Sequence, residues 1–144
     1  MAKIASFLRV CFACALSLVL YFIVFVASFL VVAWIETIIL SVDVLRGIVS
    51  VLSSLLGDSP LLGSGAILVC SSLAAITANL FFSWMTKSSG KKGVAIGRFS
   101  CIAVMCVILG INISINGGFS LDRFLLTLAI LFPFVACFRK NLFD

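Results

Sequence analysis

The stretch KSSGKKGVAIGR, residues 87–98, carries four positive charges and no acid. It interrupts a chain of 144 residues that is 64% hydrophobic and only 10% charged. A soluble domain carries roughly 25% charged residues to keep its surface wet. So few polar groups cannot clothe such a surface, and the apolar residues fall into long runs of the kind lipid accepts. The composition predicts an all-α integral membrane protein, a single membrane domain over residues 1–144.

Four runs are long enough to cross. The first, 10–35, has 26 residues without a charge, far beyond the roughly 7–15 apolar residues of a signal-peptide core. The second covers 61–85, opened by the turn signal Gly57-Asp58-Ser59-Pro60. The third covers 99–115 and ends at Asn116-Gly117-Gly118. The fourth, 121–138, rises about 27 Å against a hydrocarbon core of about 30 Å, and Pro133 is expected to kink it.

The basic stretch orients these runs. Eight of the ten basic residues lie before the first run, between the second and third, or after the fourth: Lys3, Arg9, Lys87, Lys91, Lys92, Arg98, Arg139 and Lys140. Glu36, Asp43, Asp58 and Asp122 fall on the opposite side. Basic segments stay in the cytoplasm, which makes 86–98 a cytoplasmic loop. Lys87, Lys91, Lys92, Arg98, Arg139 and Lys140 then act as topology anchors. Both termini are expected inside, in a membrane of bacterial inner-membrane type. The same stretch has neither the spacing nor the strand–helix context of a P-loop. No aromatic interleaves it, so no nucleic-acid partner is expected.

Residues 37–57, TIILSVDVLRGIVSVLSSLLG, form a different pattern. Ile38, Val42, Leu45, Val49, Leu52 and Leu56 repeat in steps of four and three, and Asp43, Gly47, Ser50, Ser54 and Gly57 form a second stripe beside Arg46. This spacing predicts an amphipathic helix on the outer side. Two arrangements are open: it lies in the interface, or it continues the first span outward. The stripe of Asp43, Arg46, Gly47, Ser50 and Ser54 is the candidate surface for a partner helix or for the wall of a pore.

Between helices in lipid, small residues permit close approach. Ala66, Cys70, Ala74 and Ala78 make such a face on the second run, and Ala103, Cys106, Gly110 and Ser114 on the third. The two faces are expected to form an antiparallel hairpin, with the Phe- and Leu-rich first and fourth runs turned to lipid. Asn79 and Asn112 are expected to hydrogen-bond between or within helices.

Catalytic chemistry finds little support. The chain has no histidine, so a serine nucleophile lacks its usual base. Cys11-Phe12-Ala13-Cys14 is a C-x-x-C, and Cys101, Cys106 and Cys137 fall toward the same end of their runs, which makes Cys11 and Cys14 the candidate soft-metal or redox pair; no cofactor is expected. The remaining partners are the bilayer, other membrane subunits and further copies of the chain. The leading expectation is a non-enzymatic structural subunit of a membrane assembly, of the secretion or conjugation kind. A pore-former or holin-like protein and an antagonist of a membrane-active toxin are the alternatives. The orientation is directly measurable. Protease added to sealed right-side-out vesicles should leave the tract around Lys91 uncut, whereas inside-out vesicles should lose it; the reverse pattern refutes the assignment.

Overall fold

The computed structural model describes residues 2–56, 60–115 and 120–139, and every regular element among them is a helix. They are α1 (Ala2–Ser41), α2 (Asp43–Leu56), α3 (Pro60–Met85), α4 (Lys91–Ile115) and α5 (Leu121–Arg139). Helices α1, α3, α4 and α5 are long and apolar enough to cross a membrane. Lys140, Gly57, Asp58, Ser59 and the Asn116-Gly117-Gly118 turn signal lie outside the described residues.

Local chemistry explains where the helices begin and end. Pro60 opens α3 at a position where its missing N–H is not needed. Ser120 caps α5, its Oγ accepting the Arg123 N–H at 3.3 Å, and Asp122 complements the positive helix start. The break between α1 and α2 falls on Val42 alone. Its N–H reaches only to Ile39, three residues back, at 3.3 Å. Thr37 and Ser41 donate their hydroxyls to the Ala33 and Ile38 carbonyls, a back-bonding that bends helices. Residues 37–41 thus belong to α1, which at 40 residues is some 60 Å long, and the separate helix α2 is shorter than the 37–57 span.

A second boundary also moves. Only residues 86–90 form the connection after α3, closed by Ser89 N–H donating to the Thr86 carbonyl at 2.8 Å. The rest of the expected loop, from Lys91 onward, is the first two turns of α4. Helix continues there because Gly97 packs against Val10 of α1 and Phe82 of α3, and Arg98 bonds to α3 and α5.

The bundle closes as a ring in an order unlike the order of the chain. Helix α1 packs on α3 and α4, and α5 packs on the same two, whereas among the described residues the backbones of α3 and α4 stay apart and the two helices meet only through side chains. The expected α3–α4 hairpin is therefore replaced by a diagonal pair. On α3 the small face turns inward: Cys70, Ala74 and Ala78 are buried and Ala66 is half-buried. Its partner is α1, which buries Ala13 and Ser17 four residues apart. On α4 the expected face looks out, with Ala103, Cys106, Gly110 and Ser114 all exposed, while Gly97, Arg98, Cys101 and Met105 turn inward. Helices α1 and α5, expected at the lipid, bring the largest core side chains, Tyr21, Phe134 and Phe138.

Hydrogen bonds from Arg9 to Ser88 and from Arg98 to the Phe138 carbonyl join the start of α1 to the end of α3 and the start of α4 to the end of α5. The described basic residues Arg9, Lys87, Lys91, Lys92, Arg98 and Arg139 therefore gather at one end of the bundle. Glu36, Asp43 and Asp122 sit toward the other. This packing separates two substitutions that look equivalent on paper. Ala74→Leu should overfill the α1–α3 contact and cost about 1–3 kcal/mol. Gly110→Leu meets open space and should stay within about 0.5 kcal/mol of the parent. Unfolding of the two variants by SDS in mixed micelles measures both.

Candidate functional site

The basic end holds the densest polar chemistry, and it begins with glycine. Gly93 and Gly97, four apart, leave one bare strip on the first turns of α4, the small-xxx-small geometry that lets helices meet closely. Val10 of α1 lies on that strip: a β-carbon at Gly93 would stand 4.0 Å from Val10 Cγ2, and one at Gly97 would collide with Val10 Cγ1. The same point on Gly97 lies 3.0 Å from Phe82 Cζ, so α3 reaches α4 across the diagonal where α4 has no side chain.

The next residue, Arg98, is only 3% exposed. It stands seven residues past the start of α4, about 10 Å along the helix, inside a segment apolar enough to span. Its Nη1 donates to Asn79 Oδ1 at 2.9 Å and to the Phe138 carbonyl at 3.4 Å, and its Nη2 to Ser83 Oγ at 2.8 Å. The guanidinium carbon lies 5.5 Å from the centre of the Phe82 ring. Among the described residues no carboxylate pairs with it and its Nε has no acceptor. The charge is balanced by dipoles instead. Phe138 is in the last turn of α5, where carbonyls lack helical partners and carry the negative end of the helix dipole. One side chain thus ties α3, α4 and α5. The sequence reading treated Arg98 as a loop anchor; it is a buried cross-brace. Asn79 makes its expected interhelical bond, with Arg98 as partner.

A second polar tie sits farther along the axis. The Tyr21 hydroxyl of α1 donates to Ser71 Oγ of α3 at 2.7 Å, and Ser71 in turn donates to the Ile130 carbonyl of α5 at 2.9 Å, which also lies 3.3 Å from the Tyr21 oxygen. Pro133, three residues on, lacks an N–H and interrupts the local ladder. Aromatic rings connect the two ties. Phe82 meets Phe138 at 5.8 Å, Phe138 stacks on Phe134 at 4.5 Å, and Phe134 meets Tyr21 edge-on at 5.1 Å. A column of side chains therefore fills the bundle axis from Arg98 to Tyr21.

The cysteines divide. Cys14 does not join Cys11; its thiol lies within hydrogen-bond reach of Cys101 on α4. Cys11 is exposed, and all six thiols are free. Among the described residues no three metal-ligating side chains come together. Cys11 and Cys14 both line a groove of about 490 Å³ between α1 and α4.

The stripe on α2 is uncovered. Asp43, Arg46, Gly47, Ser50 and Ser54 are all exposed, and among the described residues α2 packs on α1 alone. Ser54 turns its hydroxyl back onto the Val51 carbonyl at 2.8 Å. The anchors Lys87, Lys91, Lys92 and Arg139 are exposed at the basic end.

Two signals for the buried site stand in the sequence. Ser71, Ala75, Asn79 and Ser83 step by four along α3, beside the small row of Cys70, Ala74 and Ala78, which marks that face as polar as well as small. The G-V-A-I-G of 93–97 is a helix-packing motif inside what the charges made look like a loop. Asn79→Leu should cost about 2 kcal/mol, because it strands a buried cation. Adding Arg98→Met should restore most of that loss, since a buried charge network replaced by apolar groups is near neutral. SDS unfolding of the single and double variants reads the coupling, and simple additivity would refute it. No protein-family model, curated protein or solved structure matches the chain, so its function is to be read from its own residues.

Proposed function

We propose that this chain is a non-enzymatic structural subunit of a larger membrane assembly, held in the bilayer by the four-helix bundle and offering α2 with the distal part of α1 as its docking arm. The observation that carries this reading is the uncovered arm. Trp34 is 67% exposed and Val44 74%, and Ile35, Ile38, Ile48 and Val51 are exposed with them. Helix α1 is about twice as long as the hydrocarbon core is thick. Hydrocarbon therefore cannot cover the whole of α1, whichever way α2 turns. The amphipathic spacing of 37–57 supports both the interfacial placement and a partner helix in the assembly. Outward placement of this arm, with both termini in the cytoplasm of a bacterial-type inner membrane, follows the charge rule.

The filled axis weighs against a pore within one chain, because the aromatic column leaves no water path between Arg98 and Tyr21. A pore built by several copies would instead have to use the stripe of Asp43, Arg46, Gly47, Ser50 and Ser54.

Native gel electrophoresis of gently solubilised membranes, with the chain at its natural abundance, tests the proposal. The chain should migrate in a particle several times its own mass. Ile48→Ser with Val51→Ser should release it as a small species, while its resistance to SDS stays that of the parent. A parent chain that already runs at its own mass overturns the reading. Collapse of membrane potential on expression of the chain alone would replace it with the pore reading.

A further inference from the structure

We infer that the groove between α1 and α4 binds one anionic phospholipid, with an acyl chain lying along the groove and its phosphate at the lysines that open α4. The inference stands apart from the assembly reading and uses none of its residues. The groove runs from Ser6 to Leu18 on α1 and from Gly93 to Val104 on α4. Twelve residues of helix rise about 18 Å, the depth of one leaflet and not of a whole bilayer. A partner helix would need a seam through both leaflets; a single lipid needs this length.

The walls suit a hydrocarbon chain. Val10, Cys14 and Leu18 of α1 and Gly97 and Val104 of α4 line the groove, with Val10 seated on the glycine strip. Ala15, Ser100 and Val104 are exposed, so the groove opens sideways to lipid and a chain can enter from the bilayer. Its polar lining is confined to hydroxyls and thiols, Ser6 and Ser100 among them, with no charge inside.

The end of the groove sets the headgroup. Lys91 and Lys92 are exposed immediately before Gly93 in the first turn of α4, and Arg9 is exposed beside Val10. No acid lies at this end among the described residues. A cluster of like charges at the mouth of an apolar groove is complementary to a phosphate that brings its own acyl chain. A zwitterionic headgroup carries a cation that these lysines repel.

The experiment uses the purified full chain in a non-ionic detergent. It is titrated with phosphatidylglycerol, with phosphatidylcholine of the same chain length, and with inorganic phosphate. Lipid retention by native mass spectrometry and thermal unfolding are both read. Phosphatidylglycerol should remain as a one-to-one adduct and raise the unfolding midpoint, and the other two should not. Lys91→Gln with Lys92→Gln should weaken phosphatidylglycerol about thirty-fold, roughly five-fold for each lysine near the headgroup. Ser100→Phe or Ala15→Phe should fill the groove and abolish the adduct; both sites face lipid, so the lipid-free midpoint should not move. Equal retention of phosphatidylcholine overturns the inference. So does a midpoint shift by inorganic phosphate alone, which would make the site a bare anion site. An adduct that survives both groove-filling variants places the lipid elsewhere and overturns it too.

Discussion

A guanidinium buried in a bilayer-spanning bundle without a carboxylate is the constraint around which the rest is arranged. Leaving a charge in hydrocarbon is costly, some 3 kcal/mol even on insertion-based scales. Arg98 meets that cost with neutral acceptors drawn from two helices: an amide and a hydroxyl on α3 and a terminal carbonyl on α5. These acceptors are directional, so they fix the rotation of α3 about its axis and the height of the end of α5. Phe82 closes the face of the guanidinium and hands the contact on to Phe138. In a solvent where apolar surfaces gain little by meeting, such directional ties decide which packing wins.

The ring order follows from where small residues and this one large cation fall. Arg98 needs the space between α3 and α4, and so holds them on a diagonal, too far apart for their backbones to touch. The gap is taken by α1 and α5. Helix α1 can enter because Gly93 and Gly97 on one side and Ala74, Ala75 and Ala78 on the other make room for Val10 and Ala13. Helix α5 brings the aromatic bulk that fills the centre.

The spans and their grouping by charge were legible because length and hydropathy are set by the bilayer itself. Which face of each helix looks inward was much less so. In water a polar face marks the outside, but in lipid both faces are apolar and periodicity loses its meaning. Only rows of small or polar residues then point inward. Cys70, Ala74 and Ala78 did so, but Ala103, Cys106, Gly110 and Ser114 form an equal row that faces out. The Arg98 site was hidden by its neighbours: Lys91, Lys92 and three glycines in 87–98 resemble a loop, and helix there depends on tertiary contacts with Val10 and Phe82. The break at Val42 was equally local, arising from hydroxyl bonds that no Pro or Gly announces.

The diagonal placement of α3 and α4 bears on biogenesis. The pair emerging third and fourth here meets through side chains alone, Gly97 and Arg98 against Asn79, Phe82 and Ser83. Until α5 is synthesised, Arg98 lacks one of its acceptors and the centre lacks Phe134 and Phe138. The final segment therefore acts as a keystone, and a nascent polypeptide stalled before it leaves Arg98 with only its α3 acceptors. That is the kind of feature by which insertion factors and quality-control proteases tell an unfinished bundle from a finished one.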